Sequence, residues 1–343
     1  MGGRSGDPEG LATPQRRATG ALRTVRHCAA TMPPRHTSPE QFTIRVPATS
    51  ANLGPAFDCL ALALSIYDTF TVQRAQSSSV CVRGEGAGVL HTDERNMFFQ
   101  AYRAAARLAR QEAPAARVAA QNAIPIARGL GSSAAAVIAG TLAANELLAL
   151  QWTPADVLRS ALTVETHQDN LVAALCGGLT ASVKDGHDVR WITLPFPKRM
   201  KVILAVPAYE VPTVRARSAL PATVPFADAA QNIGRAVLLA AALSRGQVQQ
   251  VAGLMADRLH QPYRRQMTPG AAEAMDAARD AGALDAAVSG AGPTVIALAT
   301  DGESQIRGAM EAAYAACGIE ARCFSVAPDL DGAQVTRKEE APQ

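Results

Sequence analysis

The glycine-rich segment IPIARGLGSSAAAVIAG, residues 124–140, constrains the fold of this chain more than any other stretch. It follows an alternating run at 116–122 that predicts a strand, and it leads into a nearly uncharged run from Ser132 to about residue 150 that predicts a buried helix. Glycines let a backbone approach a ligand closely, and the unpaired amides at a helix start attract anions. A plain helix cap at Ser132 explains the same residues equally well. The lysine of a G-x-x-x-x-G-K-[ST] phosphate loop is absent, so the segment alone leaves both interpretations open.

The rest of the chain alternates between strand and helix patterns, which predicts an α+β fold. Further strands are predicted within FTIRVPA (42–48), where the strand ends at Pro47, and at 68–74, 78–83, 179–184, 189–194, 200–206 and 320–326. A strand–glycine turn–strand unit is predicted over 283–300. Further helices are predicted at 94–112, from Thr153 toward Glu165, in a short run ending at Gly177, and at 226–244, 246–258, after Thr268–Pro269 and 302–317.

Changes in composition divide the chain. Residues 1–38 are rich in Arg, Gly, Pro and Thr and carry few acids, which is typical of a disordered extension, a mis-assigned start or an organelle transit peptide. A proline-containing stretch at 195–198 predicts a domain boundary. We therefore expect an N-terminal domain over 39–196, a C-terminal domain over 197–330 and a flexible tail over 331–343.

Composition excludes several classes of function. Hydrophobic residues make up 48% of the 343 residues and charged residues 18%, as in a well-buried globular protein. A net charge of +3 gives no basis for a nucleic-acid or membrane partner, and no apolar run is long enough for a membrane span. The six cysteines show no C-x-x-C pair or metal-binding spacing, which is typical of thiols in a reducing cytoplasm. Only 4 of the 33 basic residues are lysines, so arginine is expected to supply the cationic contacts.

Two more loops of small residues stand at predicted strand ends. They are VPATSANLGPAFDCLALAL (46–64) and VSGAGPTVIAL (288–298). Together with 124–140 they predict one cleft that draws on both domains. The residues by themselves therefore predict a phosphate or nucleotide site in an α+β protein.

These segments together resemble the motifs of the GHMP kinase superfamily over about residues 41–328. The stretch from Pro125 to Ala135 is similar to that superfamily's phosphate loop, which works largely through backbone amides. The resemblance implies a two-domain fold, with an N-terminal domain like ribosomal protein S5 domain 2 and a C-terminal ferredoxin-like α/β sandwich. It also implies ATP as phosphoryl donor and Mg²⁺ as cofactor.

Within the superfamily, the homoserine kinase branch is the most similar. PATSANLGPAFD, ETHQDNLVAALCGGL, VPAYEVPTVRARSALP and LHQPYR resemble segments of that branch in the same order. The chain departs from the pattern at Ala56, Thr166, Gln168 and Ala173, and none of these removes a charged group. The branch phosphorylates the side-chain hydroxyl of L-homoserine in threonine biosynthesis, in the cytoplasm.

The resemblance carries roles onto matching residues. It implies nucleotide binding by Asn96, Pro125, Arg128, Gly129, Leu130, Gly131, Ser132, Ser133 and Ala134. It implies substrate binding by Asn52, Asp58, Thr213, Arg217, Arg264 and Gly292. It implies catalytic roles for His167, Asp169 and Asn170, and metal binding by Ser133 and Glu165. Asn170 is expected to touch the reacting hydroxyl, and a base role for Asp169 stays open. So do a helix cap at Asn96 and a purely structural His167.

Other functions compete with this one. A sister kinase acting on another small alcohol is the nearest alternative, although the acid and arginine positions suit a substrate with an amine and a carboxylate. A catalytically weak member that binds a small molecule as a sensor is the second, since a fold alone does not fix activity. A homodimer is compatible with the sequence.

Overall fold

The structure, a computed structural model, describes residues 41–186 and 188–337. The prediction for residues 1–38 lies outside this part of the chain. The strands are β1 (Gln41–Ala51), β2 (Leu60–Arg74), β3 (Ser79–Gly84), β4 (Ala116–Asn122), β5 (Leu179–Asp185), β6 (Asp188–Leu194), β7 (Lys201–Pro207), β8 (Asp285–Val288), β9 (Val295–Ala299), β10 (Ala321–Val326) and β11 (Gln334–Arg337). The helices are α1 (Met97–Leu108), α2 (Ser132–Leu147), α3 (Pro154–Ala161), α4 (Gln168–Cys176), α5 (Thr213–Ser218), α6 (Phe226–Ser244), α7 (Gln261–Arg264), α8 (Ala271–Asp280) and α9 (Glu303–Ala316), with 3₁₀ turns at Val248–Val251 and Arg265–Met267.

The strands form two sheets. One has the order β11-β1-β2-β4-β3, with β5 pairing to the other end of the long strand β2 and β6 pairing to β5. The β3–β4 pair is parallel, whereas the remaining pairs of this sheet are antiparallel. The other sheet has the antiparallel order β10-β7-β9-β8. Helices α8 and α9 pack on it, which confirms a mixed α+β architecture built around two sheets.

Helix α2 lies in the core beside the first sheet, as its nearly uncharged sequence predicts. Its side chains from Ala134 to Leu147 are almost all buried, and it packs against α1, α4, β1 and β2. Gly140 permits a close approach to α1, because a Cβ there would lie 2.1 Å from the carbonyl oxygen of Phe98. The part of the glycine-rich segment before α2, residues 124–131, is called the glycine loop below. It is attached to one of the most firmly packed elements of the molecule.

Some sequence predictions are wrong at the level of elements. Strand β1 continues through Pro47, because a register shift after that residue absorbs the missing N–H. The helix predicted over 246–258 is only a 3₁₀ turn followed by loop. Residues 207–225, for which no strand or helix is predicted, contain the short helix α5.

The flexible tail predicted from residue 331 is also wrong for residues 334–337. They form β11, which pairs antiparallel with β1 at the edge of the first sheet. The end of the described chain thus returns to the N-terminal sheet, because β1 offers an unpaired edge there. The boundary between 196 and 197 stays a prediction. Within residues 41–186 and 188–337, no helix is long and apolar enough to cross a membrane.

Candidate active site

A cleft of about 390 Å³ lies where the two sheets meet. Its lining includes most of the residues predicted for the site, namely Asn52, Asp58, Asn96, Pro125, Arg128, Gly129, Leu130, Gly131, Ser132, Ser133, Glu165, His167, Asp169, Asn170, Thr213, Arg217 and Arg264. Ala134 and Gly292 do not line it. Ala134 is buried in α2, and Gly292 packs against Thr268 and Val288 while its neighbours Gly290 and Ala291 face the cleft.

The glycine loop reaches the cleft through three left-handed residues, Ala127 and two glycines. Gly129 has φ +73° and Gly131 has φ +75°. A Cβ at Gly131 would lie 2.0 Å from Thr49 Oγ1, so only glycine fits there. Gly131 is itself the N-cap of α2 and no side chain caps it, so the alternative of a cap at Ser132 is wrong. The first amides of α2 lack an internal partner and lie at the positive end of the helix dipole, as anion binding requires.

The loops of small residues interlock at the floor of the cleft. Ser289 Oγ lies 2.7 Å from the Gly129 carbonyl oxygen and 2.8 Å from Ser50 Oγ. The Gly290 amide donates to the Ala51 carbonyl at 3.0 Å, and Asn52 Nδ2 donates back to the Gly290 carbonyl at 2.9 Å. This arrangement confirms that one cleft draws on both sheets. The Asn52 side-chain amide therefore has a structural partner in the second half of the chain, in addition to any ligand it contacts.

Opposite the glycine loop, Asp58 and Arg217 form an ion pair with two hydrogen bonds, of 2.7 and 2.9 Å. Asp58 has φ +55°, and its amide donates to Asn52 Oδ1 at 3.0 Å, which fixes the turn. The Arg217 guanidinium lies 5.0 Å from the centre of the Phe57 ring, within range of a cation–π contact. Asp58 is thus held in place by its own turn and by Arg217 of helix α5.

Arg264 lies behind this pair and is buried. It donates to the carbonyl oxygens of Ala216 and Gly290, at 3.1 and 3.2 Å. Burial, together with the charge of Arg217, lowers the pKa of Arg264 to about 10, so it remains cationic at neutral pH. Its Nη1 also lies 3.3 Å from Nδ1 of the buried His260, whose Nε2 lies 2.8 Å from the Gly54 carbonyl oxygen. His260 therefore connects Arg264 to the loop that carries Asn52 and Asp58.

Asp169 is a buried carboxylate at the start of α4. Burial, followed by the charge of Asp58, raises its pKa to about 6. It accepts hydrogen bonds from the amide and the Nδ2 of Asn170, at 2.8 and 3.2 Å. Asn170 Oδ1 in turn accepts from Thr49 Oγ1 at 2.8 Å. The side chain expected to touch the reacting hydroxyl is thus oriented from both sides.

Glu165 lies between the glycine loop and His167. Ser133 Oγ donates to Glu165 Oε2 at 2.8 Å, and His167 Nδ1 makes a short contact with Glu165 Oε1. Burial opposes ionisation of Glu165, but its hydrogen bonds with His167 and Ser133 prevail and lower its pKa. The same hydrogen bond raises the pKa of His167. Two hard oxygen atoms, one from a hydroxyl and one from a carboxylate, therefore converge at the start of α2.

Arg128 and Asn96 make structural contacts as well as lining the cleft. The Arg128 guanidinium donates to the carbonyl oxygens of Ile126, Pro207 and Ala208, which ties the glycine loop to the end of β7. Asn96 caps α1, since its Oδ1 accepts from the Phe98 amide at 3.0 Å. Thr213 is exposed at the first position of α5.

Three of the four departures from the family pattern fit this geometry, and nothing in the structure explains Thr166. Position 56 does not require glycine, because Ala56 does not have a positive φ. The residues of its loop that do are Asn52, Leu53, Gly54 and Asp58. Gln168 Nε2 donates to the Asp58 carbonyl at 2.6 Å and so supports the acid of the cleft. Ala173 is buried within the unbroken helix α4.

Other residues of the cleft were not predicted from the sequence. Phe57 and Asp68 line it, and His260 supports it from behind. Asp68 Oδ1 accepts from the amides of Ala123 and Ile124 at 2.9 Å, which holds the entry to the glycine loop. Phe57 and His260 stand inside the quoted motifs, whereas Asp68 sits in an ordinary strand pattern and nothing nearby distinguishes it.

Comparison with known proteins agrees with the site. Residues 96–178 match the GHMP kinases N-terminal domain, and residues 229–316 match the GHMP kinases C-terminal domain. A homoserine kinase of Moorella thermoacetica is 40% identical over 85% of this chain and 99% of its own length. One from Thermus thermophilus is 45% identical over 75% of this chain and 87% of its own length. The crystal structure of homoserine kinase from Cytophaga hutchinsonii superposes with a TM-score of 0.78, at 27% identity, over 89% of this chain and all of that one.

The glycine loop at the start of α2, the acid and arginine pair across the cleft and the extent of these matches agree with one another. The chain belongs to the homoserine kinase family of the GHMP kinases.

Proposed function

We propose that this protein transfers the γ-phosphoryl group of ATP to the side-chain hydroxyl of L-homoserine and so makes O-phospho-L-homoserine for threonine biosynthesis. The observation that supports this most directly is the shared cleft. In it a glycine loop at a helix start faces Asp58, Arg217 and Arg264, which together suit a ligand with an ammonium and a carboxylate. The relatives named above carry the same activity in their names.

The triphosphate would lie along the glycine loop. The amides from Gly129 to Ser133 and the dipole of α2 supply positive potential without a side-chain cation. The Arg128 guanidinium is already hydrogen-bonded to three backbone carbonyls, so its role would be to hold the loop. The loop therefore needs no lysine.

Ser133 and Glu165 fit a magnesium ion. Their oxygen atoms are 2.8 Å apart beside the glycine loop, and Mg²⁺ favours hard oxygen ligands while keeping several waters. Among the residues that the structure describes, no group of three or more His, Cys, Asp or Glu side chains could hold a metal, so phosphate oxygens and water would complete the shell. When bound, the ion neutralises charge on the phosphates. His167 would keep Glu165 ionised and oriented.

Homoserine would bind by separating Asp58 from Arg217. Its ammonium would approach Asp58 and Asp169, and its carboxylate would approach Arg217 and Arg264, because a guanidinium matches a carboxylate with two bonds. Asn52 and Thr213 would border this pocket. The hydroxyl would then face Asn170, between the amino-acid pocket and the phosphate loop.

Phosphoryl transfer through a loose transition state depends on alignment and charge neutralisation more than on a strong base. Asn170, fixed by Asp169 and Thr49, would orient the hydroxyl toward the γ-phosphate. Asp169, with a pKa near 6, would be mostly ionised at neutral pH and would attract the ammonium or accept the hydroxyl proton.

A substrate panel tests this proposal. ADP formation is measured with ATP and magnesium in the presence of homoserine, threonine, mevalonate or galactose, and without any acceptor. We expect turnover with homoserine well above the acceptor-free rate. Turnover on another acceptor alone would instead support a sister kinase. If none of the four acceptors raises ADP formation while calorimetry still detects homoserine binding, the result would support a sensor.

A further inference from the structure

Arg264 is a buried cation whose hydrogen bonds fix it in one orientation. Its side chain lines the cleft, although the residue is only 3% exposed. Nε donates to the Ala216 carbonyl at 3.1 Å, and Nη1 donates to the Gly290 carbonyl at 3.2 Å and to His260 Nδ1 at 3.3 Å. These bonds use every N–H group of Nε and Nη1, because Nη1 carries two. Within residues 41–186 and 188–337, Nη2 is the nitrogen of this guanidinium that makes no hydrogen bond.

The partners of His260 determine which of its ring nitrogens carries the proton. A guanidinium can only donate, so Nδ1 accepts from Arg264. Nε2 lies 2.8 Å from the Gly54 carbonyl oxygen, which can only accept, so Nε2 carries the hydrogen. His260 is therefore the neutral Nε2–H tautomer. A protonated ring would turn a second donor toward Arg264 and remove the bond between them.

The backbone and the ring of His260 are both held in place. The residue is fully buried, and its amide donates to Asp257 Oδ2 at 2.9 Å. The ring lies 5.1 Å from the Phe57 ring, centre to centre. Burial lowers the pKa of His260 and the charge of Arg264 acts in the same direction, whereas Asp257 and Asp58 act against it. The ring is therefore neutral at neutral pH, as its two hydrogen bonds require.

Arg264 depends on this acceptor because a second guanidinium lies beside it. Arg217 and Arg264 lie 5.0 and 5.4 Å from the centre of the Phe57 ring. Arg217 has a carboxylate partner in Asp58, whereas Arg264 forms no ion pair with any residue that the structure describes. A buried cation without a counterion is stabilised by the acceptors around it. Two of the three acceptors of Arg264 are backbone carbonyls, and the third is the ring of His260.

We propose that His260 is a positioning residue that directs Nη2 of Arg264 toward the carboxylate of homoserine. Because that carboxylate is assigned to Arg264 under the proposed function, this role rests on that function. With Nε and Nη1 engaged, the two N–H groups of Nη2 are the ones that meet the substrate. A guanidinium held in place beforehand loses less conformational freedom when the substrate binds. His260 does not line the cleft, so it favours homoserine binding through Arg264 alone.

Two substitutions separate the two hydrogen bonds of the ring. Asparagine places its amide oxygen close to the position of Nδ1, so His260→Asn keeps an acceptor for Arg264 and loses the donor to Gly54. Glutamine places its amide nitrogen close to the position of Nε2, so His260→Gln keeps the donor to Gly54 and loses the acceptor for Arg264. Both variants replace a buried ring by a smaller amide, so their stability should fall to a similar extent.

Steady-state kinetics distinguishes these variants. His260→Gln should raise the KM for homoserine about tenfold, the effect of losing one hydrogen bond to a charged group, while kcat and the KM for ATP change less than about threefold. His260→Asn should keep all three values within about threefold of the wild type. Met310→Ala, at a fully buried position of α9, is the control for lost stability and should lower the Tm with both KM values unchanged.

Equal effects of the two amides on the KM for homoserine would overturn the proposal. So would a His260→Gln enzyme in which the KM for ATP rises as much as that for homoserine, because a structural defect would weaken both substrates. The proposed function fails separately. A wild-type enzyme that neither binds nor phosphorylates homoserine contradicts that function, whereas a wild-type enzyme that uses homoserine while the two variants behave alike contradicts only the positioning role.

Nitrogen-15 NMR of the histidine rings tests the tautomer in the wild-type enzyme, without relying on variants that fold. We expect one of the six histidines to stay neutral, with its hydrogen on Nε2, down to about pH 5, well below the ordinary pKa of an exposed ring. Saturation with homoserine should leave that signal in place. Six rings that all take up a proton above pH 5, or a neutral ring with its hydrogen on Nδ1 alone, would contradict the role of His260 as an acceptor for Arg264.

Discussion

Arg217 and Asp58 already satisfy each other on the wall of the cleft, with two hydrogen bonds between them. In the proposed complex, the ammonium and the carboxylate of homoserine would replace part of that pair. Such an exchange would conserve the number of charge-assisted bonds, so little electrostatic energy would be lost when the substrate enters. Truncating either partner leaves the other charge without its counterion.

Arg217→Ala should therefore raise the KM for homoserine by about 100-fold, since two hydrogen bonds to a charged group contribute about 3 kcal/mol or more. The KM for ATP should change by less than about threefold, because the glycine loop makes no contact with Arg217. Steady-state kinetics with each substrate varied in turn measures both values. Arg215→Ala, on the same helix but exposed and outside the cleft, is the control and should behave as wild type. Equal effects of Arg217→Ala on both substrates would contradict the assignment.

Asp169 predicts a pH dependence. Its pKa is raised to about 6, so its protonated form becomes the major one as the pH falls below about 6. The neutral form attracts an ammonium group less strongly than the carboxylate does. The nearby charges of Asp58, His167 and Arg217 are already included in the raised pKa, so they do not keep Asp169 ionised below pH 6. We expect kcat/KM for homoserine to fall on the acid side of pH 6, and Asp169→Asn to abolish this decline while lowering the plateau.

The control for this profile is Asp68→Asn. Burial also raises the pKa of Asp68 to about 6, and this residue lines the same cleft, so it is the alternative source of an acid limb. The Asp68→Asn enzyme should keep the decline. A wild-type profile that stays flat to pH 5 would show that ionisation of Asp169 is not required. A kcat retained in Asp169→Asn with a raised KM would assign Asp169 to binding rather than to proton transfer.

The resemblance to the family predicted much of this site but not its internal pairing. It implied roles for Asp58, Asp169, Arg217 and Arg264, whose charges also suit a substrate with an ammonium and a carboxylate. The bond between Asp58 and Arg217 could not be predicted, since 159 positions separate them and only the packing of α5 over the loop brings them together. Neither could the buried state of Asp169, on which its raised pKa depends.

At the scale of elements, the N-cap of α2 can be compared with the N-cap of α9. Gly131 and Gly302 both occupy that position in the left-handed conformation, with φ of +75° and +72°. They differ in their surroundings. A Cβ at Gly131 would strike Thr49 Oγ1, whereas a Cβ at Gly302 would meet nothing within 4 Å. Conformation and close approach can therefore be tested separately.

Gly302→Ala should lower the free energy of unfolding by about 1–2 kcal/mol, the cost of a left-handed alanine, and leave the kinetics unchanged. Gly131→Ala should have at least that cost and also displace Thr49, whose hydroxyl orients Asn170. We expect kcat to fall by ten-fold or more and the KM for ATP to rise only for Gly131→Ala. Denaturant unfolding and initial rates measure the two effects. Similar kinetics in both variants would show that the loop tolerates a side chain at residue 131.

Elements with strong local patterns were predicted well, and elements defined by long-range contacts were not. The strand at 116–122 and the capped helix from Thr153 follow from alternation and from a capping box that the structure contains. The helix expected over 246–258 is interrupted, because buried side chains hold its backbone in another path. Asp285 accepts from the Met255 amide, and Asp257 accepts from the amides of Leu259, His260 and Gln261.

For the whole molecule, the return of the chain to the first sheet has the largest consequence. Tyr67 Oη and the amide of Gly332 donate to Asp329, which fixes the crossing segment. Strand β11 then covers the edge of β1, and Arg337 pairs with Glu146 of α2 at 2.8 Å. A polar segment at the end of a chain is typical of a tail, so local sequence could not reveal this pairing.

Deleting residues 334–343 should therefore destabilise the N-terminal sheet. It exposes the edge of β1 and leaves the largely buried Glu146 without its cation, at a cost on the order of 3 kcal/mol. That corresponds to a fall in Tm of about 5–10 °C, measured by calorimetry. Deleting only residues 338–343 keeps β11 and should leave the Tm unchanged. Adding Glu146→Gln to the longer deletion should recover part of the loss, because the uncompensated charge is removed while the open strand edge remains. If the longer deletion melts like the full chain, β11 contributes nothing to stability and residues 334–337 are a tail in energetic terms despite their pairing.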